Sequence, residues 1–252
     1  MHAILTNIKN LVPARYRPIG YLLHLTRART ECRVRSGPFT GLHYVQDSVG
    51  SAYIPKLLGI YESELAQIIE EICRRRPALI VDIGAAEGYY AIGLAARNPE
   101  AKIIAFEAEP RGRSALTQMA ALNDVSHRVD ILGRCEPDIL ERALASANKP
   151  VIVCDVEGYE QKLLDPATVP SLVRACVLVE LHDFIIPGIT ELLKQRFRAT
   201  HRIHHIWQQS RSRNQFPWRT FGTTLLPNSY LDWSVSEWRP VRMAWLWMEP
   251  HG

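Results

Sequence analysis

The segment Val81-Asp82-Ile83-Gly84-Ala85-Ala86-Glu87-Gly88 runs an apolar strand into a glycine-bracketed turn, and a carboxylate closes the next apolar stretch, Ile103-Ile104-Ala105-Phe106-Glu107. Few folds accommodate that order. Gly84 and Gly88 carry no Cβ, so the backbone can turn tightly and approach a ligand there. Glu107 lies 19 residues beyond Gly88, where a nucleoside-binding βαβ unit sets an acid against ribose hydroxyls.

Around this unit, strands and helices alternate. Apolar residues at helical spacing predict a helix over 62–75, with Leu65, Ile68, Ile69 and Ile72 on one face. Further helices are expected near 88–97, 111–122, 136–147, 158–164 and 187–197, between strands at 78–83, 102–107, 128–132, 151–155 and 176–181. These strands are continuously apolar, as parallel strands buried on both faces are. His201 to Gln208 and Met243 to Met248 read as two more. The expected fold is α/β: a Rossmann-like, doubly wound, seven-stranded and mostly parallel sheet with a C-terminal antiparallel hairpin. The expected division is a basic N-terminal extension or lid over 1–60, then a catalytic domain over 61–252 with a Trp-rich insertion about 209–241. All six tryptophans fall in the last 46 residues, where a core or homodimer contact is the expected use. Tyr44, Tyr53 and Tyr61 are candidate lid residues.

The turn discriminates among nucleosides. A dinucleotide fingerprint needs small residues at its first, third and sixth positions; counted from Gly84 the sixth is Tyr89, too bulky for close helix packing. No Gly-Lys-Ser/Thr follows, so a Walker loop is excluded. Asp82 would repel a pyrophosphate, whereas Asp82 and Glu87 suit a ligand carrying positive charge, such as the ammonium and sulfonium of S-adenosylmethionine.

The Val81–Gly88 segment resembles the first motif of class I S-adenosylmethionine-dependent methyltransferases, and Glu107 matches their ribose-binding acid. Asp155-Val156-Glu157-Gly158-Tyr159-Glu160, followed by Val179-Glu180-Leu181-His182, resembles the FkbM-like branch. The wider resemblance covers about 61–200, and the FkbM-like one rests on 151–183. It implies that Asp82, Gly84 and Gly88 hold the methionine end of the cofactor, with Ala85 and Glu87 in the same turn. It sets Glu107 on the ribose, Arg134 and Cys135 near the adenine, and Asp155 facing the transferring methyl. Asp155, Glu157 and His182 are the candidate catalytic residues for deprotonating a hydroxyl. No metal ligands are assigned; a divalent metal held by Asp155, Glu157, His182 and Asp183 stays an open alternative. The acceptor implied is a hydroxyl on a small molecule: a sugar, glycan precursor or secondary metabolite.

Charge is uneven: residues 1–40 carry net +6, 41–195 net −7 and 196–252 net +5. Basic ends allow peripheral membrane contact or nucleic-acid binding. A nucleic-acid methyltransferase is nonetheless disfavoured, because an Asn-Pro-Pro-aromatic block is missing where DVEG stands. A non-catalytic binding protein that keeps the fold is the remaining rival. Five cysteines without CxxC spacing support neither a disulfide framework nor a zinc site. No clean signal-peptide core precedes residue 25, so a cytoplasmic location is expected. His201, His204 and His205 are expected in a surface or interface role.

Overall fold

The computed structural model describes residues 17–46 and 52–251; the first 16 residues of the expected extension, and its segment 47–51, lie outside them. Seven strands form one sheet in the order β3-β2-β1-β4-β5-β7-β6: β1 (Leu79–Ile83), β2 (Lys102–Phe106), β3 (Val129–Leu132), β4 (Val151–Cys154), β5 (Cys176–Leu181), β6 (His201–Trp207) and β7 (Ala244–Pro250). β1 to β5 are mutually parallel, and β7 inserts antiparallel between β5 and β6. The expected hairpin is therefore present, with its second strand innermost.

The continuous apolar runs make sense in this setting. Every residue of β1, β4 and β5 is buried, and alternate side chains feed two cores. Ile80, Ile103, Val153 and Leu178 enter one, while Val81, Ile83, Ile152 and Val179 enter the other. Burying a Val, Ile or Leu side chain contributes about 1.5–3 kcal/mol, so both layers of helices are held firmly.

Ten α-helices are described: α1 (Pro18–Thr30), α2 (Tyr53–Leu58), α3 (Ala66–Arg75), α4 (Tyr89–Arg97), α5 (Pro110–Leu122), α6 (Pro137–Leu144), α7 (Glu160–Leu163), α8 (Ile189–Phe197), α9 (Phe221–Leu225) and α10 (Asn228–Val235). The helix expected over 62–75 begins as a 3-10 turn at Ser63–Leu65 before α3. α3 stops at Arg76, which takes a left-handed conformation ahead of Pro77. Proline at the first position opens α5 and α6, where its missing N–H costs nothing.

α1, α2, α9 and α10 form a cap that the spacing does not predict. Leu22 of α1 and Ile54 and Leu58 of α2 pack with Phe216, Leu231 and Val235 of the 209–241 insertion. Residues 22–58 and the 209–241 insertion thus share one small apolar core. Three of its helices, α2, α9 and α10, have 6, 5 and 8 residues, and the apolar residues of α1 crowd into 19–25, so no single periodicity announces it. Trp245 and Trp247 of β7 are buried in the main core, whereas Trp207, Trp233 and Trp238 stay exposed. Tyr44 and Tyr53 are buried edge to face, with ring centroids 5.8 Å apart. His201 departs from the expected surface role: it is buried, with Nε2 donating to the Ala175 carbonyl at 2.9 Å. His204 and His205 are exposed. Among the described residues no helix is long and apolar enough to cross a membrane.

Candidate active site

β1 is flanked by β2 on one side and β4 on the other, so chain connections diverge there and a crevice opens beyond the strand C-termini. In open α/β sheets that is where ligands bind. A cavity of about 800 Å³ occupies this position, walled by the turns after β1, β2 and β4, the end of β5, Tyr61 and, from the insertion, Trp238.

Asp82 lies at the bottom. It is 3% exposed, and its Oδ2 is buried without a hydrogen-bond partner. Burial pushes its carboxyl up to about 7, partly opposed by a hydrogen bond from the Ala91 amide in the first turn of α4. Above it Gly84 takes a left-handed conformation at φ 86°, and a Cβ there would stand 1.8 Å from the Asp155 carbonyl oxygen. The turns after β1 and β4 can touch only because position 84 is glycine. Gly84→Ala combines left-handed strain with a backbone clash; it is expected to destabilise by about 3 kcal/mol or more, read from denaturant midpoints.

Glu107 stands at the end of β2 and accepts hydrogen bonds from the Ala86 and Glu109 amides, each at 2.7 Å. It lines the cavity with Ala85, Arg134 and Cys135. The Arg134 guanidinium lies 4.4 Å from the Tyr159 ring centroid, a flat cationic and aromatic pair at one wall. Cys135 is buried, which pushes its thiol up to about 12 and leaves it inert as a nucleophile.

Glu87 and Gly88 do not line the cavity. Gly88 is the left-handed residue that starts α4. Glu87 turns the other way, fully buried, accepting from Lys56 Nζ at 2.8 Å and from the Tyr44 hydroxyl at 2.7 Å. Burial alone would raise its carboxyl, but Lys56 and Tyr44 overcome that and hold it down at about 2. Its role in this structure is to pin the segment before α2 and α2 itself to the glycine turn, since Lys56 lies in α2.

Asp155, Glu157 and His182 all reach the cavity, in unequal ways. Asp155 is half-buried beyond β4, whereas Glu157 is exposed at the rim with a left-handed backbone, φ 48°. His182 is buried just beyond β5; its Nδ1 meets the buried Glu160 at 2.5 Å, and its Nε2 lies 3.5 Å from both Asp155 and Glu180. Burial alone would lower the His182 pKa, but Glu160 and then Asp155 outweigh it and raise it. Carboxylates at both ring nitrogens make His182 give up a proton less readily, which weakens it as a general base. Asp183, the fourth residue of the expected metal set, is exposed and turned onto Thr190 of α8.

The residues opposite carry no recognisable motif in the sequence. Arg239, from the insertion, pairs with Glu62 and Glu180, and its Nε lies 3.6 Å from Glu237. All three glutamates have side chains about 1% exposed. Burial raises Glu62 to about 7 against the pull of Arg239, and burial with the nearby Asp155 charge raises Glu180. A signal for Glu180 does stand in the sequence: a lone charge inside the apolar run Cys176–Leu181 demands a buried partner. Phe184, Ile185 and Trp238 expose apolar surface at the mouth. The cavity thus has an acidic floor, an arginine bridge and an apolar rim.

No protein-family model and no curated protein matches the sequence. Solved structures match the fold. The O-methyltransferase TomG from Streptomyces achromogenes, involved in tomaymycin synthesis and in complex with SAM, is 12% identical, with 99% of this chain and 96% of that chain covered at a TM-score of 0.52. The O-methyltransferase from Bacillus cereus in complex with SAH is also 12% identical, over 99% of this chain and 97% of that one, at 0.48. Precorrin-6y C5,15-methyltransferase from Geobacter metallireducens GS-15 is 11% identical, over 73% and 87%, at 0.47. At these identities the likeness to TomG is one of fold. The chain therefore has the Rossmann-like fold of that methyltransferase, a seven-stranded mostly parallel sheet with its last two strands paired antiparallel.

Proposed function

We propose that this chain is an S-adenosylmethionine-dependent methyltransferase of FkbM-like type that modifies a hydroxyl on a small molecule such as a sugar, glycan precursor or secondary metabolite. The observation that carries the reading is Asp82 Oδ2, a buried carboxylate oxygen without a partner at the floor of the switch-point cavity. Such an atom is costly unless a ligand supplies a donor, and a ligand ammonium would do so. The Gly84 turn also fits, since without a side chain it lets the turn that carries Asp155 close against the wall of the cavity.

When bound, the cofactor supplies an electrophilic methyl on a sulfonium. Asp82 would receive the ammonium, and the acidic floor would favour the positive sulfonium. Glu107 already accepts two amide hydrogen bonds, and a carboxylate has room for about four, which leaves two for ribose hydroxyls. Arg134, Cys135 and Tyr159 would flank the base. Asp155, half-buried and open to the cavity, would accept the acceptor's proton. The cap would act as the lid, with Trp238 and Phe184 against the acceptor and water kept from the reacting atoms.

Purified protein should retain S-adenosylmethionine or its demethylated product in native mass spectra, or bind either in calorimetry; neither retention nor heat would overturn the reading. Glu107→Ala should weaken that binding by about 1–3 kcal/mol, the range for a hydrogen bond to a charged group.

A further inference from the structure

Asp155, Glu180 and His182 converge from the ends of β4 and β5, with one donor atom from each within 4.8 Å of the other two. Strand register brings them together. Cys154 pairs with Val179, so Asp155 and Glu180 follow side by side, and His182 is two residues beyond Glu180 on the same face. His182 Nε2 lies 3.5 Å from Asp155 Oδ1 and 3.5 Å from Glu180 Oε2. Neither distance makes a good hydrogen bond. Both match the edge of a coordination polyhedron, since ligands about 2.0–2.2 Å from a tetrahedral ion lie roughly 3.3–3.6 Å apart.

The surroundings complete the pattern. Glu160, fully buried, takes the other ring nitrogen of His182 at 2.5 Å, as a carboxylate does behind a metal-ligating histidine, fixing its tautomer. Arg239 holds Glu180 by Oε1, leaving Oε2 to face the ring. Asp82, with its buried unpartnered Oδ2, lines the same cavity. Asp155 is the member open to the cavity, with 35% of its side chain exposed, so a position toward solvent stays free for an exchangeable ligand.

We propose that Asp155, Glu180 and His182 form a site for a first-row divalent transition cation such as Mn²⁺, Fe²⁺ or Zn²⁺, with Glu160 as the positioning residue for His182. One imidazole with two carboxylates favours such ions over Mg²⁺ or Ca²⁺, which prefer all-oxygen shells. The site stands on its own geometry. Its use, to bind and polarise an acceptor hydroxyl at the open position, rests on the methyl-transfer reading.

Chelator-treated full-length protein titrated with Co²⁺ should develop a visible absorption band that saturates at one equivalent. The proton NMR spectrum of the Co²⁺ form should show one far-shifted exchangeable imidazole N–H, from a single histidine ligand bonded to Glu160. Glu160→Gln should keep the band and weaken affinity about 10–100-fold, while Asp155→Asn with Glu180→Gln should abolish it. Overturning results are the absence of a saturable band, a wild-type spectrum without that N–H, or unchanged binding in the double variant. The wild-type spectrum decides even where a variant fails to fold. Cofactor calorimetry run in parallel separates the two proposals: metal without cofactor binding retains the site and removes its methyl-transfer use.

Discussion

Asp82→Asn is expected to weaken S-adenosylmethionine binding by about 1–3 kcal/mol, roughly 5–150-fold in affinity, without unfolding the protein. Asparagine fills the same volume and keeps an oxygen for the Ala91 amide, but loses the charge that faces a ligand ammonium. The two proteins should also differ in pH dependence. Burial pushes Asp82 up to about 7, so wild-type affinity should rise from pH 6 to pH 7.5 as the carboxylate ionises, then level off, while the variant lacks that component. Stability follows the opposite sign. A carboxyl with a raised folded-state pKa contributes stability that is fully present below its unfolded value of 3.8 and lost as pH rises through about 7. Wild type should therefore gain stability relative to Asp82→Asn on moving from pH 8 to pH 6. Calorimetry and thermal midpoints over that range check both signs; a parallel pH response in the two proteins would remove Asp82 from the cofactor's charge balance.

Lys56→Met should destabilise the fold severely. It leaves Glu87, fully buried, with its ammonium partner at 2.8 Å removed. Breaking a buried ion pair from one side typically costs about 3–5 kcal/mol, on the order of 10 °C in thermal midpoint for a chain of this size. Glu87→Gln added to Lys56→Met should recover much of the loss, because the buried charge goes with it. The pair also carries an acid dependence. Glu87 is depressed to about 2 from an ordinary 4.5, so its contribution is present above 4.5 and lost as pH falls toward 2. The double variant should lose less stability between pH 5 and pH 3 than wild type. Denaturant titrations at fixed pH measure each term, and additive single-variant costs would show that the two side chains do not act as a pair.

Glu87 also shows where sequence reasoning misplaced a residue. In the sequence it stands between Ala86 and Gly88 beside Asp82, and two acids by a ligand turn suggest one shared purpose. The structure separates them, Asp82 into the cavity and Glu87 beneath Lys56 and Tyr44. A tight turn sends neighbouring side chains in different directions, and nothing local says which partner waits. His182 was legible as a site residue, but its suitability as a base was not, because Glu160 and Asp155, brought against it by the fold, raise its pKa. Two capping boxes form in the insertion, Ser212 with Gln215 before a 3-10 turn and Thr220 with Thr223 before α9.

The sequence by itself determined the sheet, the switch point and the identity of the turn. Apolar runs of fixed length and glycine spacing act within a few residues, and the backbone obeys them wherever the rest of the chain goes. Tertiary structure decided the charge partners. Lys56 and Glu87 are 31 residues apart, His182 and Glu160 are 22, Arg239 and Glu180 are 59, and Arg239 and Glu62 are 177. A buried charge must find an opposite one in the space where the fold leaves it, and that space exists only once the strand ends, residues 56–62 and the 209–241 insertion have been brought together.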